Sequence, residues 1–442
     1  MPLLGHARAF QRDPLGFLLR AAQAEGPVTR LNLGPLTYHL VSDPVLISDV
    51  LQARAANYLR DTRSSRRVRL VTGESLLTSE GATWRRQRQT VQPIFHHRHL
   101  MDLARTMAQV ANEASVSWDH AASTGATLEL SSEMNRLAFA VAGRCLFGAD
   151  LRGRSSVVET AFPVLLEELF RRTSHLTSFP LWMPLPRHLA FKRALAAIDR
   201  VVAELIAEHR RRPSETVDLL GLLLQARDEK GGGLNDDSLR NHTLTFLLAG
   251  HETTANALTW AFALLATTPE KREKVQAELD ALDFGSGGSG AAVEAMPKLG
   301  YLSAVLQETL RLYPSIWIVE RRVAEADELG GWHIPKGSAV VVSPYVTHRA
   351  PERWEVPEAF RPERFLAREP RTLGEDGYFP FGAGPHTCIG QHFAMMQAKI
   401  ILATLLSRFR VVHLEPGLPA PVGGITLRPS APFPIRVERR TS

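Results

Sequence analysis

The stretch 379-FPFGAGPHTCIG-390 sets one cysteine, Cys388, behind two aromatic residues and among three glycines, in a chain of 442 residues whose only other cysteine is Cys145. Two cysteines cannot form a disulfide framework, and no charged-then-apolar leader opens the sequence, so free thiols in a reducing cytoplasm are expected. Formal net charge is +6 and the pI about 9.5. Of the 52 basic residues all but seven are arginine, spread along the chain among 46 acids. The clusters Arg60, Arg63, Arg66, Arg67, Arg69 and Arg210, Arg211, Arg212 read as solvated faces. They lack the interleaved aromatics that stack bases, so no nucleic-acid partner is expected.

Amphipathic helical spacing covers 13–25, 43–52, 81–93, 98–120, 155–172, 188–212, 236–267, 268–282, 295–313 and 389–408. Strand-like runs are few: VTRLNL and LTYHLVS near the start, GSAVVVS at 337–343, and ITLRP and FPIRVE near the end. These patterns predict a mainly α fold with small peripheral β-sheets. The apolar segment 243–268 is long enough to suggest a membrane span, but His251 and Glu252 lie at its centre, so it reads as a helix buried in a soluble protein with no stable membrane insertion. FGSGGSGAA, residues 284–292, has linker composition but reads as a surface loop between two helices. Cys145, within AVAGRCLFG, reads as a small buried apolar residue on a helix.

Three chemistries are open to Cys388. A zinc site would recruit His386 and His392 but lacks a second nearby cysteine. A nucleophilic thiol needs a base and an orienting partner, and no local signature supplies them. An axial thiolate on haem iron accounts for the neighbours: glycines at 382, 384 and 390 let backbone approach a flat macrocycle, and Phe381 shields the sulfur. The helix that begins after Cys388 favours an anion at its N-terminus.

The segment resembles the haem-binding signature of the cytochrome P450 superfamily, with Phe381, Gly384, His386, Cys388 and Gly390 in matching places; His386 stands where many members have arginine. Distant segments agree. AGHETT at 249–254 (Ala249, Gly250, Glu252, Thr253) resembles the family's acid–threonine motif, in which the helix widens beside the iron. Glu308 and Arg311 resemble its Glu-x-x-Arg pair, which Arg361 or Arg364 of FRPERF would complete. Trp84, Arg88 and Arg321 stand where members contact the haem propionates. The resemblance spans nearly the whole chain and joins both sides of the 284–292 loop into a single unit, residues 1–442.

What it implies is a haem-thiolate monooxygenase using haem b, O2 and two electrons, with Glu252 and Thr253 relaying protons to the oxygen being split. No flavin or nicotinamide motif is present, so a ferredoxin or flavodoxin with its reductase is the expected donor, docking near Arg85 and Arg86. The resemblance places the substrate pocket at Phe246, Leu247, Ala249, Ile316, Trp317, Ile318 and Val319, whose character suits a lipophilic guest: a terpenoid or other secondary metabolite, with fatty acids and polyketides still open. A peroxygenase or rearranging catalyst, and a non-enzymatic haem binder, are the rival readings.

Overall fold

A computed structural model describes residues 5–34, 36–148, 155–174, 178–211, 217–228, 231–282, 284, 293–366 and 373–440. All of the 284–292 loop except Phe284, and Arg212 of the second arginine cluster, lie outside them.

The helix Asp236–Thr267 runs through the middle of the molecule. Asn235 caps its start by accepting from the Ser238 N–H, and Asp236 and Asp237 favour the positive end of its dipole. Beyond the first turns its apolar residues occupy every side rather than one stripe, as a helix enclosed by protein requires. It packs against helix Leu130–Phe147 from the first half of the chain and against helices Gly300–Leu312 and Gln391–Arg408 from the second. Trp118 meets Phe262 and Phe409 in this core, at ring-centroid distances of 5.6 and 5.8 Å. Cys145 is fully buried there and burial raises its thiol pKa. Among the described residues no helix is long and apolar enough to cross a membrane.

Helix ends follow local chemistry. The helix predicted over 98–120 runs on to Thr124 and stops where Gly125 turns left-handed at φ +69°. The one predicted over 295–313 is broken: Pro297 belongs to a 3₁₀ turn, and helix Gly300–Leu312 restarts with Glu278 accepting from the Tyr301 and Leu302 N–H groups at 2.6 and 2.9 Å. Helix Arg63–Thr72, with a Thr62–Ser65 capping box, is hidden in the sequence by its arginines.

Strands Val28–Leu33, Leu36–Val41, Ala339–Val342, Val319–Val323 and Tyr58–Leu59 form one sheet in that spatial order. Leu36–Val41 and Ala339–Val342 pair in parallel; the other neighbours are antiparallel. Strand Pro434–Arg439 lies between Thr127–Glu129 and Phe409–His413, and two short hairpins complete the β content. The small sheets flank the helical mass, as the strand-poor sequence predicts.

Candidate active site

The loop before helix Gln391–Arg408 folds back on itself: the Cys388 N–H donates to the Phe381 carbonyl at 3.0 Å, and Thr387 Oγ1 donates to the Gly384 carbonyl at 2.7 Å. Gly384 has φ +71°, and a Cβ there would lie 1.9 Å from the Leu51 carbonyl oxygen. Its glycine requirement therefore comes from close packing on residues 51–52, which corrects the expectation that it clears a macrocycle. Gly390 is closer to that expectation, because its Cβ direction faces the Cys388 sulfur at 4.0 Å. Cys388 lies deep in the molecule yet has exposed surface, so its sulfur lines an internal cleft. Burial raises its thiol pKa, while the Gly390 N–H and the Arg88 charge act the other way. Among the described residues no three His, Cys, Asp or Glu side chains gather into a metal cluster, so His386, Cys388 and His392 do not form the zinc set weighed above.

Behind the loop stands a polar network whose centre is inaccessible to solvent. Arg311 donates to Glu308 through Nε and Nη2 at 2.8 and 2.9 Å, and to the carbonyls of His348, Pro357 and Ala359. Arg364 reaches Glu308 with its side chain at 3.3 Å, whereas Arg361 reaches it through its backbone N–H and turns its side chain to Glu355. His348, which sequence reading missed, connects this network to the cysteine loop. Its Nδ1 is 3.2 Å from the Arg311 carbonyl and its Nε2 accepts from the Phe379 N–H. Burial, with Arg311 next, pushes its pKa down to about 3, so it stays neutral.

On the other flank, helix Gly81–Val91 turns Trp84 and Arg88 inward and Arg85 and Arg86 outward. Trp84 stands edge-on to His386 at 4.1 Å, and Arg88 donates to the Thr387 carbonyl at 3.0 Å. Arg60 is not part of a solvated face. Its guanidinium is buried, donating to the Leu76 and Ser79 carbonyls at 2.9 and 3.0 Å, with its Nε 3.5 Å from Glu80 and not hydrogen-bonded. Arg321 is buried beside it, and burial pushes both guanidiniums down to about 10. Burial and the nearby Arg60, Arg321 and Arg88 push His386 to about 3, and its Nδ1 has no partner. Among the described residues Glu80 is the one carboxylate within 4 Å of any of these three arginines. Three guanidiniums against one carboxylate, beside a cleft-lining thiol, suit a flat group that carries two carboxylates and a metal accepting sulfur. Haem fits that donor set.

Across the cleft, Ala249 is exposed although it sits mid-way along the central helix, with Leu248, Gly250 and Thr253 half-exposed around it. The helix is regular here and shows no widening: Thr253 Oγ1 donates to the Ala249 carbonyl at 2.6 Å, and Ser315 Oγ donates to the Thr253 carbonyl. Burial raises the Glu252 pKa, opposed by a 2.6 Å hydrogen bond from Thr426 Oγ1 and by Arg428. Asn256 Nδ2 in turn donates to Thr426. Of the expected pocket residues, Ile316 is exposed and Ile318 and Val319 half-buried. Phe246, Leu247 and Trp317 are instead core residues. Phe246 packs edge-on to Phe95, and Trp317 donates to the Gly424 carbonyl with its ring where a Gly423 Cβ would fall. Their apolar character signals burial but not which neighbours bury them.

A mainly helical fold with a cleft-lining cysteine loop, a buried Glu-x-x-Arg network and a helix bearing an acid–threonine pair defines a haem-thiolate oxygenase, and the chain belongs to the cytochrome P450 family: the Cytochrome P450 family model matches residues 1–433. The chain is 33% identical over 432 residues to cyclooctatin synthase of Streptomyces melanosporofaciens, covering 97% of this chain and 90% of that protein. It is 30% identical to pentalenene oxygenase of Streptomyces avermitilis, covering 94% and 90%. The crystal structure of CYP175A1 from Thermus thermophillus superposes with a TM-score of 0.78 at 30% identity, covering 98% and 97% of the two chains. The enzyme is a monooxygenase with haem b as cofactor, and it requires O2, a redox partner and a lipophilic substrate.

Proposed function

We propose that haem, when bound, would be held through the Cys388 sulfur on its iron and through Arg60, Arg88, Arg321 and His386 with Trp84 on its carboxylates, and that Glu252 and Thr253 would deliver protons across the cleft from Cys388. Haem so bound supplies activation of O2, with the thiolate donating electron density. The observation that carries the reading is the excess of buried guanidinium charge at one end of the cleft that Cys388 lines. The chain's own contribution is to hold the cysteine backbone rigid through Phe381, to keep the loop anchored through His348, and to offer a carboxylic acid in a dry setting. Burial holds the Glu252 proton to higher pH than an exposed glutamate would. Thr426 links it to Asn256, and the charge of Arg428, which lies at the surface, acts on it from nearby. Thr253 in this geometry bonds its own helix, and the relay requires its hydroxyl to swing from the Ala249 carbonyl into the cleft.

The substrate is a terpenoid, a reading supported by the names of the two Streptomyces relatives and by the apolar Ala249, Ile316, Ile318 and Val319 lining. The electron donor is a cytoplasmic ferredoxin or flavodoxin meeting the exposed Arg85 and Arg86, and both sides of the 284–292 loop build one pocket. The test is a spin-state titration of terpene hydrocarbons, alcohols and acids, followed by turnover with a ferredoxin and its reductase. Oxidation of fatty acids alone would displace the terpenoid assignment.

A further inference from the structure

The arginines of helix Arg63–Thr72 divide by direction. Arg66 pairs with Asp61 at 2.9 Å in solvent. Arg67, on the next position, turns inward. Among the described residues it makes no ion pair, its Nη1 is buried with no partner, and its one side-chain hydrogen bond is a long one, 3.4 Å from Nη2 to Ser178 Oγ. Arg63 lies one turn earlier on the same helix, and Arg172 faces it from helix Ser155–Ser174. Of the acids nearby, Glu168 accepts from Arg172 Nε at 2.7 Å and also binds Arg171, while Glu320 lies near both Tyr38 and Arg67 and forms no ion pair with Arg67. Burial first, and then Arg63 and Arg172, push the Arg67 pKa down to about 10. A desolvated guanidinium with an unused donor is costly unless something pairs with it.

Position decides what that something is. Segment 315–320 begins at Thr253, to whose carbonyl Ser315 donates, passes through Ile316, Ile318 and Val319, and ends at Glu320 beside Arg67 and Tyr38. Five residues span at most about 18 Å when fully extended. Arg67 therefore stands at the far end of the apolar lining from the acid–threonine pair, within the length of one extended lipophile.

We infer that Arg67, with Ser178 beside it, is a carboxylate-recognition site at the rim of the substrate cleft, so that the preferred substrate is an apolar skeleton carrying an anionic carboxylate at the end remote from the oxidised carbon. The inference rests on the pocket assignment above and narrows its substrate class from terpenoids in general to terpenoid acids. The guanidinium fork offers Nη1 and Nη2 to the two carboxylate oxygens, with the Ser178 hydroxyl as a third donor.

The experiment is a spin-state titration of the ferric holoenzyme with matched sets: abietic acid and palmitic acid, each with its methyl ester, together with abietadiene and hexadecane. The expected result is that at least one acid binds tenfold or more tightly than its ester, and that Arg67→Leu brings this ratio within about twofold of unity while Arg67→Lys keeps part of it. Equal affinity for acid and ester in the wild type, an unchanged ratio in Arg67→Leu, or a panel in which only the neutral compounds shift the spectrum would overturn it, as would no response to any acid. Each variant must first show the reduced carbon monoxide band of the wild type. A wild-type protein without that band points to failure of the haem-thiolate reading rather than of the carboxylate site.

Discussion

His348→Phe removes the side chain that joins the Glu308–Arg311 network to the loop leading to Cys388, while keeping a ring of similar size. The Phe379 N–H and the Arg311 carbonyl then lose their shared partner in a fully buried setting. Each orphaned group costs about 1–3 kcal/mol, so the variant loses about 2–6 kcal/mol, a large part of the roughly 5–15 kcal/mol that stabilises a folded domain. A pH dependence accompanies this loss. His348 stays neutral in the fold down to about pH 3 but takes up a proton near its ordinary value of 6.5 when unfolded. The unfolded state therefore binds more protons as pH falls below about 6.5, and wild-type stability drops by about 1.4 kcal/mol per pH unit, or about 2 kcal/mol by pH 5. The variant lacks this contribution. Urea unfolding of both holoproteins, followed by tryptophan fluorescence and haem absorbance at pH 7 and pH 5, checks it. The variant should have a lower midpoint at pH 7 and lose less on acidification. An unchanged midpoint at pH 7, or equal acid sensitivity, would refute the reasoning.

Arg60→Leu removes one of three guanidiniums from the proposed propionate site and should speed haem transfer to apomyoglobin at least tenfold; an unchanged rate would remove Arg60 from that site. Thr253→Ala should keep haem and substrate binding but divert electrons to hydrogen peroxide, measured as peroxide formed per NADPH consumed, and full coupling would exclude the relay. Replacing Arg85 and Arg86 together by glutamate should slow reduction by an acidic ferredoxin at low salt, with the gap from wild type closing as salt rises; equal rates at low salt would place the dock elsewhere.

The cysteine loop, the Glu308–Arg311 pair and the acid–threonine helix are legible in the sequence because each combines rare residue types at fixed spacing. Arg60 and Arg67 are not: a run of arginines reads as a solvated face, and only the fold shows that Leu76, Ser79 and Ser178 draw two of them inward. His348 carries no signal either, being single and distant in sequence from both partners. Phe246 and Trp317 enter the expected pocket through the family resemblance, which locates the segment but does not distinguish side chains turned to a core from those turned to a cleft. The helix break at Pro297 is available from the proline itself. Thr426, the partner of Glu252, lies 174 residues away from it, a separation that no local pattern spans.

The most direct measurement is the reduced carbon monoxide difference spectrum of the haem-reconstituted protein, recorded for the wild type and for Cys388→Ser. Sulfur ligation by Cys388 predicts the strongly red-shifted Soret band in the wild type and its loss in the variant. A wild-type band at the position typical of histidine-ligated haem, or a red-shifted band that survives in Cys388→Ser, would contradict it.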